Sequence, residues 1–290
     1  MNRETGTLYI VPTPIGNLED MTLRGIRILR EVSFIAAEDT RHTRKLLTHF
    51  DIHPKQIFSY HQHNLKQAGE KIQSLLKSGL SGALVSDAGM PGVSDPGELV
   101  IRELTSLGIR VEVLPGSSAF LTALVGSGLP VKYFSFVGFL PVSKKDRREE
   151  LKRLALYEGT LVFYEAPHRL RATLEEMHGV FGDRDLVMVK ELTKVHETYY
   201  RGNLRDYEQL AEETLLRGEF VLIVAGAEVS NATSLETESL SAEAIAQLVE
   251  AYIKSGMNKK EALKEVAKTR CLPRRVVYQA LLEVKDQGGQ

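Results

Sequence analysis

The most informative segment of the chain reads Ala83-Leu84-Val85-Ser86-Asp87-Ala88-Gly89-Met90-Pro91-Gly92-Val93-Ser94-Asp95-Pro96-Gly97. Its apolar start predicts a strand, and its Gly, Pro, Ser and Asp residues predict a loop that leads into a helix. A second strand, residues 110–114, runs in the same way into Pro115-Gly116-Ser117-Ser118. Glycine lets backbone approach a ligand closely, and proline holds the shape of a loop. We expect both loops to lie side by side at the carboxyl ends of parallel strands, where open α/β sheets bind ligands.

Composition and charge exclude several classes of protein. The 290 residues suit two domains, or two with a small appendage, and a net charge of −1 gives no argument for nucleic-acid binding by the whole protein. The single cysteine, Cys271, excludes an internal disulfide framework, and the scattered histidines predict no metal site. The first residues lack the apolar core of a signal peptide, and no segment has the about 18 apolar residues of a membrane span. We therefore expect a cytoplasmic protein without a membrane segment.

Strands and helices alternate along most of the chain, which predicts an α/β fold with mostly parallel sheets. Residues 8–11 and 34–37 are apolar strands, and each is followed by a helix with an apolar face. From residue 134 onward the strands follow one another more closely, and those around Lys190 and Tyr199 predict antiparallel pairing in a mixed sheet. We predict two α/β domains, residues 1–120 and 121–228, with a ligand cleft between them.

The end of the sequence differs in character from the rest. Residues 229–241 are polar and predict a linker, and residues 242–290 predict a small C-terminal helical region with three short helices. The second and third helices flank a tight turn at residues 269–272, as in a helix-turn-helix that binds nucleic acid. Packing of these helices against the rest of the protein is an equally weighted alternative.

Five motifs follow one another along the chain: residues 9–20 (YIVPTPIGNLED), 37–41 (AEDTR), 86–91 (SDAGMP), 115–119 (PGSSA) and 190–194 (KELTK). In this order they resemble the bacterial 16S rRNA cytidine 2′-O-methyltransferases, a branch of the tetrapyrrole-methylase superfamily. The resemblance covers about residues 8–226. Tetrapyrrole methylases usually carry a glycine-rich loop after the first strand, whereas residues 12–17 hold one glycine, which favours the ribosomal RNA branch.

The resemblance implies S-adenosylmethionine as the methyl donor. It implies that loops of both domains bind this donor through Pro14, Ile15, Gly16, Asp87, Ala88, Gly89, Met90, Ser117, Ser118, Tyr164, Glu165 and Leu192. The donor carries no phosphate, and the chain has neither the dinucleotide-binding fingerprint nor the GxxxxGK[ST] loop. Simpler roles stay open: Asp87 fits a turn and Ser117 fits a helix N-cap. Met90, Ile15 and Tyr164 fit ordinary packing positions.

Transfer of a methyl group to a ribose hydroxyl requires that the hydroxyl proton leave, so a general base is expected. The candidates are Glu38 and Asp39 after the second strand, His61 and His63 in a loop, and Glu191. Other roles compete with this one. Asp39 fits a helix cap, His61 a surface loop, and Glu191 an ion pair with Lys190. We favour Asp39 or Glu38 as the base.

RNA binding requires local positive charge, and three clusters supply it. They are Arg41 with Lys45 on one helix face, Lys144, Lys145, Arg147 and Arg148 at the start of the second domain, and Arg274 with Arg275 in the C-terminal helices. Such runs are also typical of solvated helix faces, which is the alternative interpretation.

These observations predict an S-adenosylmethionine-dependent enzyme that methylates the 2′-hydroxyl of a cytidine in the 16S rRNA of the small ribosomal subunit. The aromatic strand at residues 134–139 and the resemblance together imply a homodimer. One alternative is a tetrapyrrole or protein methyltransferase of the same superfamily. The other is a ligand-sensing regulator that binds nucleic acid, which the near-neutral charge and the short helical appendage disfavour.

Overall fold

The computed structural model of the chain describes residues 5–213, 218–228, 242–254, 256–269 and 274–287. Its contacts divide the chain into two units, Met1–Ala227 and Glu228–Gln290. The predicted linker, residues 229–241, and Cys271 lie outside the described residues. Within the described ranges, no helix combines the length and apolar character needed to span a membrane.

Five strands in the described part of the first unit form a parallel sheet: β1 (Leu8–Ile10), β2 (Phe34–Ala37), β3 (Ile57–Ser59), β4 (Gly82–Val85) and β5 (Val111–Val113). Their order across the sheet is β3-β2-β4-β1-β5. The helices between and after them are α1 (Leu23–Glu31), α2 (Thr40–His49), α3 (Leu65–Lys77), α4 (Gly97–Ser106) and α5 (Ala119–Ser127). The predicted parallel sheet is confirmed, and it places the loops after the strands along one edge.

The central strands β2 and β4 are buried at every position, as continuous apolar runs covered by helices on both faces should be. Phe34 and Leu84 pack on one side of the sheet, and Ile35 and Val85 pack on the other. Strand β4 begins with Gly82 because a Cβ there would overlap the ring of Phe34 on β2. Close approach of these strands sets the position of the loop after β4.

A second sheet in the described part of the first unit contains β6 (Phe134–Phe139), β7 (Thr160–Glu165), β8 (Asp185–Lys190), β9 (Thr198–Asn203) and β10 (Phe220–Val224). Its order is β6-β7-β10-β8-β9. Strands β6 and β7 are parallel, and the other neighbours are antiparallel, so the predicted mixed sheet is confirmed. The helices α6 (Lys144–Leu154), α7 (Leu170–Phe181) and α8 (Tyr207–Glu213) belong to this half.

The sequence predicts a strand over residues 196–200, whereas β9 runs from Thr198 to Asn203 and so begins two residues later. The preceding residues form two successive turns, in which the Lys194 N–H donates to the Glu191 carbonyl and the Glu197 N–H donates to the Lys194 carbonyl. Glu191 adopts a positive φ of 52° there. The turns occupy the backbone that the pattern assigns to the strand.

The second unit contains α9 (Ala242–Lys254), α10 (Lys259–Thr269) and α11 (Arg274–Gln287) within its described residues. These helices confirm the predicted C-terminal helical region. They bury a shared apolar core that includes Val249, Val266 and Val277, one residue from each helix. The turn between α10 and α11 lies outside the described residues.

Candidate active site

A cavity of about 470 Å³ opens where the loops of the first sheet face the ends of strands in the second sheet. This size is typical of small-molecule sites. The described residues that line it are Ile15, Glu38, Ser86, Asp87, Ala88, Gly89, Met90, Val93, Ser94, Asp95, Ser118, Ala119, Phe139, Tyr164, Glu165, Ala166, Pro167, Leu192, Glu219, Phe220 and Val221. The cleft expected between two α/β halves is therefore present.

The loop after β4 is pinned to the loop after β1. Thr13 and Gly89 exchange two backbone hydrogen bonds of 3.0 Å, and the Thr13 hydroxyl donates to the Ser86 carbonyl at 3.1 Å. Gly89 has a φ of +79°, and a Cβ there would lie 3.2 Å from Ile15 Cγ2. A side chain at Gly89 would therefore be strained and would also push on the cavity wall.

The same loop is closed by a half-buried carboxylate. Asp95 accepts hydrogen bonds from the backbone N–H of Gly92 at 2.8 Å and of Gly97 at 2.7 Å, which holds the loop against the start of α4. Burial raises the pKa of Asp95, and these N–H groups oppose that effect. Its neighbour Ser94 lines the cavity with a φ of 63°.

Glu38 lies at the end of β2 and lines the cavity. Its Oε2 accepts from the Asp87 N–H at 3.3 Å, and Asp87 Oδ1 accepts in turn from the Asp39 N–H at 3.0 Å. Burial raises the pKa of Glu38, whereas the hydrogen bond from the Asp87 N–H lowers it. The nearby negative charges of Asp87, Asp95 and Asp39 raise the pKa further. A carboxylate with a raised pKa in a cavity is suited to accept a proton.

Asp39 is held in a different way from Glu38. It is the N-cap of α2, where its carboxylate accepts from the Arg41 N–H at 2.8 Å, and the Arg41 guanidinium donates to it at 2.6 Å. These bonds to Arg41 hold the pKa of Asp39 well below its usual range. Asp39 is not among the residues that line the cavity. The arrangement favours Glu38 over Asp39 as the base.

The other candidate bases also lie outside the cavity lining. Glu191 Oε1 accepts from the Glu219 N–H at 3.1 Å and from Lys194 Nζ at 3.2 Å, so it holds the turn after β8. The partner of its ion pair in the structure is thus Lys194. His61 Nδ1 accepts from the His63 N–H at 3.3 Å within the loop before α3.

Most of the predicted donor-binding residues line the cavity: Ile15, Asp87, Ala88, Gly89, Met90, Ser118, Tyr164, Glu165 and Leu192. Pro14, Gly16 and Ser117 do not. Gly16 instead packs closely against the turn after β8. A Cβ added at Gly16 would lie only 2.7 Å from Thr193 Oγ1. The N-cap position of α5 belongs to Ser118, which makes no side-chain cap bond, so the N-cap interpretation of Ser117 was wrong.

The second sheet contributes a rigid wall. The Tyr164 hydroxyl accepts from the Phe120 N–H at 3.1 Å, and burial raises its pKa. Glu165 is only 2% exposed; it accepts from the Thr173 hydroxyl at 2.5 Å and lies 3.4 Å from Arg169 Nε. Its charge is therefore balanced within the protein, and Glu165 supports the wall.

Several lining residues escaped the sequence prediction, among them Ser94, Asp95, Phe139 and Glu219. Asp95-Pro96-Gly97 carried a usable signal, because aspartate before proline and glycine is typical of a loop that caps a helix. Phe139 lies in the aromatic strand that we assigned to a dimer interface. No sequence pattern marked Glu219 as a lining residue. It directly precedes β10, and the pairing of that strand brings it to the cavity.

Among the predicted RNA-binding residues, Arg41, Lys45, Lys144, Lys145, Arg148 and Arg275 are exposed. The structure contradicts the prediction that Arg147 binds RNA. It is 8% exposed, and its guanidinium donates two hydrogen bonds to Glu176, at 2.9 and 2.8 Å. A buried and paired arginine is not available to phosphate. Arg274 begins α11, and its side chain lies outside the described part.

The chemistry of the cavity fits a cationic ligand better than a phosphate. Its described lining includes the carboxylates of Glu38, Asp87 and Asp95 and contains no Lys, Arg or His. Ile15 and Leu192 add apolar surface, and Gly89 lets backbone approach closely. These groups suit the sulfonium, amino and adenine parts of S-adenosylmethionine. No cluster of metal-binding side chains occurs among the described residues.

Comparison of the sequence with known proteins gives matches over nearly its whole length. Residues 7–208 match the family model described as Tetrapyrrole (Corrin/Porphyrin) Methylases. The chain is 48% identical over 278 residues to ribosomal RNA small subunit methyltransferase I of Halalkalibacterium halodurans, covering 95% of this chain and 94% of that protein. It is 46% identical over 279 residues to the protein of the same name in Bacillus subtilis, covering 96% and 94%.

Solved structures show the same architecture. A cobalamin biosynthetic enzyme, cobalt precorrin-4 methyltransferase, has a TM-score of 0.57 at 16% identity over 76% of this chain and 94% of its own. The uroporphyrin-III C-methyl transferase of Thermus thermophilus, complexed with S-adenyl homocysteine, has a TM-score of 0.54 at 19% identity over 76% and 97%. At such identities the likeness confirms the fold.

Proposed function

Because this chain belongs to the family of tetrapyrrole (corrin/porphyrin) methylases, we propose that it transfers a methyl group from S-adenosylmethionine to the ribose 2′-hydroxyl of a cytidine in 16S rRNA. One observation supports the RNA substrate most strongly. Relatives that share between 42% and 48% of its residues over nearly the whole chain are named ribosomal RNA small subunit methyltransferases. The enzyme accordingly works in the cytoplasm, where small subunits are assembled.

The donor binds in the cavity between the two sheets. When bound, S-adenosylmethionine would supply an activated methyl group: the hydroxyl oxygen would bond to the methyl carbon while the bond from that carbon to sulfur breaks, leaving a neutral thioether. Asp87 and the backbone of Gly89 bind its charged groups, and Ile15 and Leu192 cover its apolar parts. Such a reaction depends mainly on holding two partners at the right distance and angle. The pinned loops after β1 and β4 and the rigid wall at Tyr164 provide this fixed frame.

Glu38 takes the proton of the attacking hydroxyl. Its carboxylate lines the cavity, is partly withdrawn from water and has a raised pKa. Asp39, by contrast, keeps Arg41 in place at the exposed edge next to it. Arg41 thus presents its guanidinium, 88% exposed, close to the reacting groups.

Exposed basic side chains bind the phosphates of the RNA. Lys144, Lys145 and Arg148 on α6, Arg41 and Lys45 on α2, and Arg275 on α11 are available for this role, and Arg274 is a further candidate. Phosphate contacts fix the position of an RNA without reading its sequence. The choice of nucleotide therefore depends on the cavity and on the shape of the subunit.

The protein acts as a homodimer. Helix α5 exposes Leu121 and Val125, 47% and 68% exposed, and the segment before β6 exposes Val131 and Tyr133, 50% and 66% exposed. We call these four residues the α5 patch. Exposed apolar side chains suit an interaction site, and a two-fold interface uses the same patch from each copy.

Methyl incorporation tests the function directly. The purified protein is incubated with tritiated S-adenosylmethionine and with small subunits from cells that lack this enzyme. We expect label in 16S rRNA at one linkage that resists alkaline hydrolysis, because a 2′-O-methyl group removes the hydroxyl that cleaves the backbone. Label in a tetrapyrrole or a protein, with none in RNA, would support the alternative substrates. Nucleic-acid binding without methyl transfer would support the regulator.

A further inference from the structure

Phe139 occupies an unusual place at the end of β6. Strand β6 pairs with β7 in a regular parallel register from Phe134 to Phe136. A bulge then shifts the register by one residue, so that Gly138 pairs with Phe163 and Phe139 pairs with Tyr164. Gly138 has a φ of +73°, which explains why glycine occupies the bulge.

The shift decides which face of the sheet Phe139 lies on. In a continuous register Phe139 would pair with Glu165 and share its face. With the bulge, Phe139 shares the face of Tyr164 and lines the cavity, although 56% of its surface is exposed. The aromatic ring of Phe139 is therefore half exposed in the wall of the cavity, where a ligand can contact it.

The ring of Phe139 has a rigid support on one side. Its centroid lies 5.5 Å from that of Tyr164, with 58° between the planes. Tyr164 is fixed in turn by the Phe120 N–H and by edge contact with Phe136, whose centroid lies 5.0 Å away. Phe139 is therefore held against Tyr164 while more than half of its surface stays exposed.

Phe139 and Glu38 both line the cavity, and the loop after β4 lies against the elements that carry them. A Cβ on Gly138, the neighbour of Phe139, would lie 3.1 Å from Ser94 Oγ, so the end of β6 touches the loop after β4. The residue after Ser94 is Asp95, whose charge acts on Glu38. Leu192, which also lines the cavity, belongs to the turn that touches Gly16.

We propose that Phe139 stacks on the base of the target nucleotide, so that its ribose is held beside Glu38. This inference rests on the proposed RNA methyltransferase function and identifies the nucleotide subsite of the same cavity. An aromatic side chain accepts any base on its π face, and enzymes that modify nucleotides often turn the nucleotide out of its stack. The donor contacts Asp87, Ile15 and Leu192 of the same cavity.

The test compares three replacements at this position in the full-length enzyme. Phe139→Ala should lower kcat/KM for small subunits about 5- to 100-fold, which is the range of a lost base stack. Phe139→Leu keeps apolar bulk without a ring and should lose most of the same activity, whereas Phe139→Tyr should keep it. The affinity for S-adenosylmethionine, measured by calorimetry, should change less than twofold in all three.

A matched control comes from Leu156, an apolar residue that is 86% exposed and does not line the cavity. Leu156→Ala should leave kcat/KM unchanged, and circular dichroism should show every variant folded. Equal losses of donor affinity and activity in Phe139→Ala would show that the ring stacks on the donor adenine and would overturn the proposal. Full activity of Phe139→Leu would overturn it as well. Native enzyme that methylates no RNA would overturn the proposed function itself, and this inference with it.

Discussion

Glu38 is a residue whose affinity for protons is set by its place in the cavity. Because burial and the carboxylates of Asp87 and Asp95 raise its pKa, it accepts a proton more readily than an ordinary glutamate. Glu38→Gln removes the acceptor and keeps the shape, so we expect kcat to fall about 100- to 10,000-fold. Calorimetry should show that donor affinity falls far less than kcat, because Asp87 and Asp95 keep their negative charges beside the donor. A variant that keeps its full rate would contradict the role of Glu38.

The same carboxyl also predicts two pH effects. The native rate should fall as the pH decreases through the raised pKa of Glu38, since the protonated form cannot accept a proton, and Glu38→Gln should lack this fall. The folded state binds this proton more tightly than the unfolded chain does. Its contribution to stability is present below the unfolded pKa and is lost as the pH rises through the folded pKa. Glu38→Gln should therefore raise Tm, relative to the native protein, more at pH 7 than at pH 4.

Arg147 and Arg148 are adjacent in the sequence and differ in burial. Arg147→Ala leaves the Glu176 carboxylate unpaired at 12% exposure, so we expect a loss of about 3–5 kcal/mol in the free energy of unfolding by urea. The control, Arg148→Ala, should change stability by less than about 0.5 kcal/mol. It should instead weaken subunit binding and flatten the salt dependence by about one phosphate contact. If Arg147→Ala weakened subunit binding and left stability unchanged, Arg147 would belong to the RNA-binding surface.

At the scale of elements, the loop after β1 and the turn after β8 meet at Gly16. A Cβ there would lie 2.6 Å from Lys194 Cγ, 2.7 Å from Thr193 Oγ1 and 3.0 Å from the Leu192 carbonyl oxygen. Gly16→Ala should therefore displace the turn that carries Leu192 and weaken donor binding about tenfold, as calorimetry can measure. Gly179→Ala on α7, where nothing lies within 4 Å, is the matched control and should raise stability by up to about 1 kcal/mol. Equal donor affinity in both variants would show that the turn adapts.

Sequence patterns predicted the strands that are long and apolar, and they failed where pairing decides the structure. The buried runs of β2 and β4 were predictable because every residue is apolar. Strand β3 has three half-buried residues and no comparable signal. The bulge before Phe139 depends on register with β7, and the burial of Arg147 depends on Glu176 of a different helix. Local sequence contains neither partner.

The convergence of the loops on one edge was predictable for a related reason, but the expectation that the loops after β4 and β5 lie side by side was wrong, because β1 lies between these strands. Loops that follow parallel strands share one edge of a sheet, so the segments after β1, β4 and β5 had to converge. The sequence did not predict as well which side chain of each loop lines the cavity. Gly16 and Ser117 follow the same kind of strand as Gly89 and Ser118, yet they contact neighbouring loops rather than the cavity.

At the scale of the whole molecule, the α5 patch predicts a two-fold dimer. Because the interface is two-fold symmetric, Val125→Glu would place two negative charges in it, one from each copy. We expect light scattering at micromolar concentration to give a monomer mass for this variant and a dimer mass for the native protein. Leu156→Glu, at a still more exposed position outside the patch, should leave the mass unchanged. A native protein that is already monomeric at this concentration would contradict the dimer.

The acidic lining of the cavity affects how the enzyme turns over. Glu165 is balanced by Arg169, and Glu219 by Lys194, whereas Glu38, Asp87 and Asp95 leave an excess of negative charge on the side of the first sheet. These carboxylates attract a sulfonium cation but have no such hold on the neutral thioether that remains once the methyl group has gone. Loss of one charge thus loosens the spent cofactor at the moment when it must be exchanged. In the proposed site, this loss of charge favours product release.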